Sequence, residues 1–147
     1  MILILAHFLP AWPSLNIYGF IWLKALNIAG TLLFLLGIIL AAKSFLSLGA
    51  SMSPLPYPKA EAKLVREGSY KDCRHPLYQS LLISSGGLMI SLGSLLHLFL
   101  FIGLCAILIG KAKKEEHQLQ LKHQEYIHYL KKTPAIIKGV PFLDWRN

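Results

Sequence analysis

The chain has 147 residues, enough for one domain and too few for two. Hydrophobic residues make up 54% and charged residues 15%, against about 25% charged in soluble proteins, and mean hydropathy is +0.51. This balance excludes a disordered chain, a collagen-like fibre and a disulfide scaffold, and it disfavours a soluble globule; Cys73 and Cys105 lie far apart with no metal spacing around either.

Met1–Leu9 is apolar but too short to cross a bilayer, and Pro10 and Pro13 end it. It lacks the basic start of a signal peptide and reads as a partial or interfacial helix. Ile17–Ala42 is apolar except for Lys24 and Asn27. As a helix it would cover roughly 39 Å at about 1.5 Å per residue, which exceeds a hydrocarbon core of about 30 Å. Lys24 can snorkel to the interface, and Asn27 reads as a polar contact between helices or as a pocket residue.

Residues 43–76 read as a loop, with three prolines over Ser51–Pro58 that favour extended backbone. No charge occurs between Leu77 and Ile109. One straight helix there would be about 50 Å long and would overshoot the bilayer. Gly86-Gly87 and Leu92-Gly93-Ser94 instead predict a tight helical hairpin over residues 77–110. Ser84, Ser85, Gly86, Gly87 and Ser91 are small enough for its arms to approach closely. Residues 111–147 read as a polar helix over Lys111–Lys132 and an irregular tail, marked by Pro134, Gly139 and Pro141, that packs back on the body.

The net charge of +8 suggests nucleic acid only until its distribution is considered. Every Lys and Arg except Lys24, and all seven acidic residues, fall within residues 43–76 and 111–147. Apolar blocks alternating with basic ones are what the positive-inside rule produces, and they put both basic stretches on the cytoplasmic side. No aromatic-basic interleaving of a nucleic-acid binder is present. The expected fold is an all-α, multi-pass integral membrane protein of one domain. It has three transmembrane helices, or four if the N-terminal segment stretches across.

If the hairpin forms, the two polar segments flanking it meet at one membrane surface. The first reads Leu64-Val65-Arg66-Glu67-Gly68-Ser69-Tyr70-Lys71-Asp72-Cys73-Arg74-His75-Pro76-Leu77-Tyr78; the second holds Glu115-Glu116, Leu119, Glu125, Tyr126 and Tyr129. The order L-V-x-x-G-x-Y-x-x-x-R-H-P-x-Y, double apolar helix, E-E-x-x-L and E-Y-x-x-Y resembles the isoprenylcysteine carboxyl methyltransferase family, in its small prokaryotic form. That family is related to the membrane phospholipid N-methyltransferases. The resemblance covers about residues 43–140, and Leu48-Gly49, Pro54 and Pro56 extend it upstream.

The resemblance implies S-adenosylmethionine as cofactor, held between the R-H-P loop, the hairpin and the following helix. It implies that Leu64, Val65, Tyr70, His75, Pro76, Leu77 and Tyr78 line this site, with Glu115 close by. Gly68, Arg74, Glu116, Tyr126 and Tyr129 complete the candidate cofactor-binding set. The chemistry is compatible: adenine stacks on Tyr or Pro faces, a carboxylate suits an ammonium and ribose hydroxyls, and Gly68 permits a backbone angle other residues disfavour. Plainer readings stand beside these. Arg74 and His75 can meet lipid headgroups, Glu115 and Glu116 can pair with Lys111, Lys113 and Lys114 at helical spacing, and Tyr126 and Tyr129 can be interfacial anchors. His97 reads as a packed or interfacial residue. His117, His123 and His128 share no helical stripe, so no metal site is expected.

Lys111 stands where the carboxyl methyltransferases carry an arginine near the acceptor carboxylate, Lys132 replaces a second arginine, and His123 replaces an aromatic. Lys111, Lys132 and Glu125 are therefore the candidate catalytic residues. A carboxylate acceptor needs no general base, and Lys111 would offset its charge; an amine acceptor must lose a proton, for which Glu125 or His123 would serve. The leading expectation is carboxyl O-methylation of a lipid-like or prenylated acceptor, reaching the site sideways from the bilayer between residues 17–42 and the hairpin. Alternatives are a phospholipid amine N-methyltransferase, an NADPH-dependent sterol-reductase-like enzyme (disfavoured by only three arginines) and an inactive membrane helper.

Overall fold

The computed structural model describes residues 2–18, 22–48 and 64–146. The proline run at 51–58 lies outside them. Among the described residues, five α-helices follow in order: α1 (Ile2–Ala6), α2 (Lys24–Leu48), α3 (Pro76–Leu92), α4 (Leu95–Lys122) and α5 (Tyr126–Lys132). Short 3-10 turns cover Leu15–Tyr18 and Gly68–Lys71, and an isolated bridge joins Ser14 to Ser94. The chain divides into two compact units, one of residues 1–39 and 80–107, the other of residues 40–79 and 108–147.

The first long helix differs from its expected limits. It starts at Lys24 rather than Ile17 and runs to Leu48 rather than stopping at Ala42. Before it, the Asn16 side chain accepts the Trp22 backbone N–H at 3.0 Å, a local bond that competes with helix continuation. Residues 43–48, expected in the loop, form its last turns; Ser44 and Ser47 return their hydroxyls to Leu40 and Lys43 carbonyls within the helix. Among the described residues α2 and α4 are each long and apolar enough to cross a membrane. Leu32, Ile39 and Leu46 on α2, and Phe99 and Ile102 on α4, are more than half exposed. Apolar side chains displayed on this scale require a non-aqueous neighbour.

In the first unit, α3 and α4 are joined by Gly93-Ser94, the later of the two expected breaks, with Gly93 at φ +53. A Cβ at Gly93 would come within 2.5 Å of the Trp22 ring. The turn's backbone groups are satisfied from the N-terminal segment: Leu15 N–H donates to Gly93 O at 2.8 Å, and Leu95 N–H to Pro13 O at 3.2 Å. Gly86-Gly87 does not break α3; a Cβ at Gly86 would meet the Phe101 ring of α4 at 3.4 Å. The α1 helix, about 8 Å long at 1.5 Å per residue, does not reach across a bilayer. It is tied to the hairpin through His7, whose Nε2 lies 2.5 Å from Ser85 Oγ.

The small residues serve contact rather than an opening. A Cβ on Gly30 would stand 2.6 Å from Gly87 O, and one on Gly37 would stand 2.6 Å from Ser84 N. Asn27 donates to Ser91 O at 3.0 Å, and Thr31 Oγ1 lies 3.0 Å from Ser91 Oγ. Along this seam α2 and α3 touch backbone to backbone, with no room for an acyl chain. The sideways route expected between residues 17–42 and the hairpin is closed there.

The second unit gathers the end of α2, the residues leading into α3, the polar half of α4, α5 and the tail. Gly68 has φ +60, as its loop position suggested, and a Cβ there would meet Ser47 Oγ at 2.8 Å. Tyr126, Tyr129 and Leu130 form a buried cluster with Leu64 and Leu119 against it. The tail is ordered against the residues before α3: Arg74 N–H donates to Pro134 O and His75 N–H to Ala135 O, both at 2.9 Å. Ala135 and Ile136 are completely buried.

Candidate functional site

The site grows from the base of the helical hairpin. Pro76 opens α3, a position where its missing N–H costs nothing and its fixed φ suits the helix. Tyr78 follows within the first turn, and Glu115-Glu116 lie on the polar half of α4. The Tyr78 hydroxyl donates to Glu115 Oε1 at 2.6 Å. The His75 ring stacks on Tyr78, with centroids 5.3 Å apart and planes within 3°. Lys111 Nζ stands 3.9 Å from Glu115 Oε1 and 5.4 Å from the Tyr78 ring centre.

The two neighbouring glutamates have different surroundings. Glu116 is buried and accepts Arg74 Nε at 2.8 Å, Arg74 Nη2 at 3.3 Å, His75 Nε2 at 2.8 Å and Trp145 Nε1 at 2.7 Å. A carboxylate has about four lone-pair positions, so these donors saturate it. Because a carboxylate only accepts, His75 carries a proton on Nε2. Arg74 is equally committed: Nη1 also donates to Leu130 O at 2.5 Å and Thr133 O at 2.7 Å, and Nη2 to Trp145 O at 2.5 Å. The guanidinium is fully enclosed. Arg74 and Glu116 thus spend their polar groups on each other, on His75, on the end of α5 and on the tail.

Glu115 is a quarter exposed (24%). Its Oε2 lies 3.8 Å from His75 Nδ1. This carboxylate retains acceptor capacity beyond its bond from Tyr78, whose buried ring lies against the buried His75 ring.

The remaining candidates divide by position. The Tyr129 hydroxyl donates to the Tyr70 carbonyl, and Tyr126 meets Tyr129 edge to face at 5.7 Å. Burial pushes the Tyr70 hydroxyl up to about 12 and raises Tyr126 and Tyr129 further. All three stay neutral phenols at physiological pH. Leu64 packs on this cluster, Val65 and Leu77 are half-buried, and Gly68 shapes the turn that carries Tyr70. Lys132 is exposed at the end of α5. Glu125 is half exposed and lies 3.5 Å from His123 Nδ1. Neither touches the Glu115 cluster among the described residues.

Sequence reasoning passed over Trp145. Its one available signal was an aromatic with an N–H between Asp144 and Arg146, and nothing in the spacing ties it to Glu116.

Residues 26–124 match the family model of the phospholipid methyltransferases. The chain belongs to that family. It is also 31% identical over 119 residues to protein-S-isoprenylcysteine O-methyltransferase B of Arabidopsis thaliana, an overlap covering 78% of this chain and 59% of that protein. The family match includes the hairpin, the R-H-P residues and both glutamates, and it ends within the segment that links α4 to α5. Trp145 and the tail of this phospholipid methyltransferase family member lie beyond it.

Proposed function

We propose that this protein is an integral membrane methyltransferase using S-adenosylmethionine, with its cofactor site on the cytoplasmic side and a lipid-like acceptor methylated on a carboxyl oxygen. The observation carrying this reading is the quarter-exposed Glu115 carboxylate, held by Tyr78 beside the stacked His75 ring, in a chain of this family. Exposed apolar faces on α2 and α4 support membrane insertion, and the basic residues of 43–76 and 111–147 support the cytoplasmic orientation. α3, at 17 residues, would serve as a third, shorter span.

The donor set suits the cofactor. Glu115 would hold its ammonium or ribose hydroxyls, with the Tyr78 hydroxyl fixing that carboxylate. Bound S-adenosylmethionine supplies an electrophilic methyl group on a sulfonium sulfur. An in-line displacement at that carbon asks the protein mainly for alignment and exclusion of water. A carboxylate acceptor is already nucleophilic at neutral pH. Lys111, whose side chain is 42% exposed, would offset the acceptor's charge at the edge of the Glu115 cluster.

The relative's printed name favours an oxygen acceptor, whereas the family's description favours a phospholipid. An amine acceptor would require a base, and the Glu125–His123 pair is the nearest in sequence to the Tyr126 cluster. Incubation with methyl-labelled cofactor, followed by mass spectrometry of lipid extracts, tests the reading. Label on a lipid carboxyl is the expected result; label on an amine selects the second acceptor. Binding of NADPH in place of S-adenosylmethionine, or of neither, would overturn the proposal.

A further inference from the structure

We infer that Trp145 is a positioning residue for the candidate cofactor site, acting through Glu116 and His75. The inference rests on the proposed site at Glu115. Trp145 Nε1–H donates to Glu116 Oε2 at 2.7 Å, while its own carbonyl accepts Arg74 Nη2 at 2.5 Å. On Oε2 the indole N–H is the shorter of two donors, Arg74 Nη2 standing at 3.3 Å, while Arg74 Nε and His75 Nε2 share the other oxygen, Oε1, at 2.8 Å each. Fixing Oε1 fixes the proton of His75 on Nε2 and the plane of its ring. That ring lies parallel to Tyr78, and the Tyr78 hydroxyl holds Glu115. The orientation set by the indole thereby passes through three hydrogen bonds and one ring stack to the ligand-facing carboxylate.

Loss of the indole N–H leaves a carboxylate lone pair unsatisfied in a buried place. Arg74 Nη2, already 3.3 Å from Oε2, can then close on it, and the His75 ring that shares Oε1 with Arg74 turns with the carboxylate. The cost then falls on cofactor affinity rather than on the chemical step. A second contact, Lys113 Nζ at 5.5 Å over the indole ring, is exposed packing outside this relay.

Two substitutions separate a hydrogen-bonding role from a packing role. Trp145→Phe keeps aromatic bulk and removes the N–H. Trp145→His keeps an N–H at the equivalent ring position and removes the fused ring. Affinity for S-adenosylmethionine is measured by calorimetry on the purified full-length protein in detergent or nanodiscs, and kcat and KM on lipid acceptor. Trp145→Phe is expected to weaken cofactor binding and raise its KM about tenfold, the equivalent of one hydrogen bond to a charged group, with kcat at saturation within about twofold. Trp145→His is expected to restore most of the affinity, and Lys113→Ala to leave it unchanged.

A merely structural role predicts the reverse: a reduced active fraction that lowers kcat, unchanged KM, and rescue by Phe rather than His. Either variant alone decides between the two, so failure of one to fold leaves the other informative. Unfolding of both would overturn the inference. Cofactor binding in the parent with equal binding in Trp145→Phe removes Trp145 alone. No cofactor binding in the parent removes the proposed function and this inference with it.

Discussion

The Tyr78 hydroxyl donates to Glu115 Oε1 at 2.6 Å across 37 positions of sequence. One residue sits in the first turn of α3 and the other in the polar half of α4. They meet because the uncharged stretch between them turns back at Gly93-Ser94. The bond orients a carboxylate that is still a quarter exposed.

Glu115→Gln is the direct test of that carboxylate. The amide keeps an oxygen for the Tyr78 hydroxyl and nearly the same volume, but it loses the charge. Affinity for S-adenosylmethionine should fall about tenfold or more, the range for losing a hydrogen bond to an ionised group. The melting temperature should change by only a few degrees. Calorimetric titration beside a thermal melt reads both, and unchanged affinity removes Glu115 from the site.

Lys111→Ala probes the acceptor rather than the cofactor. Lys111 is in reach of Glu115, at 3.9 Å, yet its side chain is 42% exposed, where ion pairs contribute little to stability. The expected outcome is a lower kcat/KM for an anionic acceptor with cofactor affinity nearly intact. An equal loss in both would assign Lys111 to the cofactor pocket.

Arg74→Ala should be severe for a different reason. The substitution leaves Glu116 charged and buried, and it strips donors from the Leu130, Thr133 and Trp145 carbonyls. Breaking one side of a buried ion pair costs about 3–5 kcal/mol, a large share of a small domain's stability. Loss of folded yield, or a melting temperature lowered by well over ten degrees, is expected in fluorescence-detected size exclusion. A folded Arg74→Ala protein that merely bound cofactor weakly would instead return Arg74 to the ligand site.

Much of this arrangement is readable in the sequence, and the exceptions have physical causes. The turn at Gly93 is legible because an uncharged stretch too long for one crossing must break where a glycine permits it. Gly68 and Asn27 are legible because a positive φ and a lone amide on an apolar helix each have few uses. The start of α2 is not, since hydropathy alone does not mark where an apolar helix begins, and the bond from Trp22 N–H to the Asn16 side chain has no hydropathy signature. The roles of Arg74 and Glu116 are also hidden. The R-H-P and E-E residues look alike as ligands in sequence, and only the tail folding back through Trp145 shows that two of them are consumed internally. The small residues on α3 permit either a gap or a close seam, and backbone positions alone distinguish the two.

Cys73 sets an alkaline limit. Burial raises its thiol to about 11, with a 3.5 Å contact to Gln79 Oε1. The folded state therefore holds this proton more tightly than the unfolded chain does. Its contribution is fully present below the ordinary thiol value of about 8.5 and is lost as pH rises from there toward about 11. Tyr70, raised to about 12, extends the decline. Urea melts between pH 8 and 11 should show stability falling with pH, with a shallower slope in Cys73→Ala. An identical slope in both would exclude Cys73 as the source.

Gly37→Val tests the seam between α2 and α3. A Cβ there would stand 2.6 Å from the Ser84 backbone nitrogen, and a flexible neighbour cannot relieve it because the obstacle is main chain. The helices must separate by more than an ångström. That strains the neighbouring contacts of Asn27 and Thr31 with Ser91, and Gly30 loses its fit against Gly87. In a membrane, where apolar burial between helices gives little driving force, such close packing supplies much of the association. The substitution should lower folded yield and melting temperature sharply, whereas Leu32→Val, on the exposed face of the same helix, should change neither. If Gly37→Val were tolerated and raised turnover of a long-chain acceptor, the seam would be a route for the lipid after all.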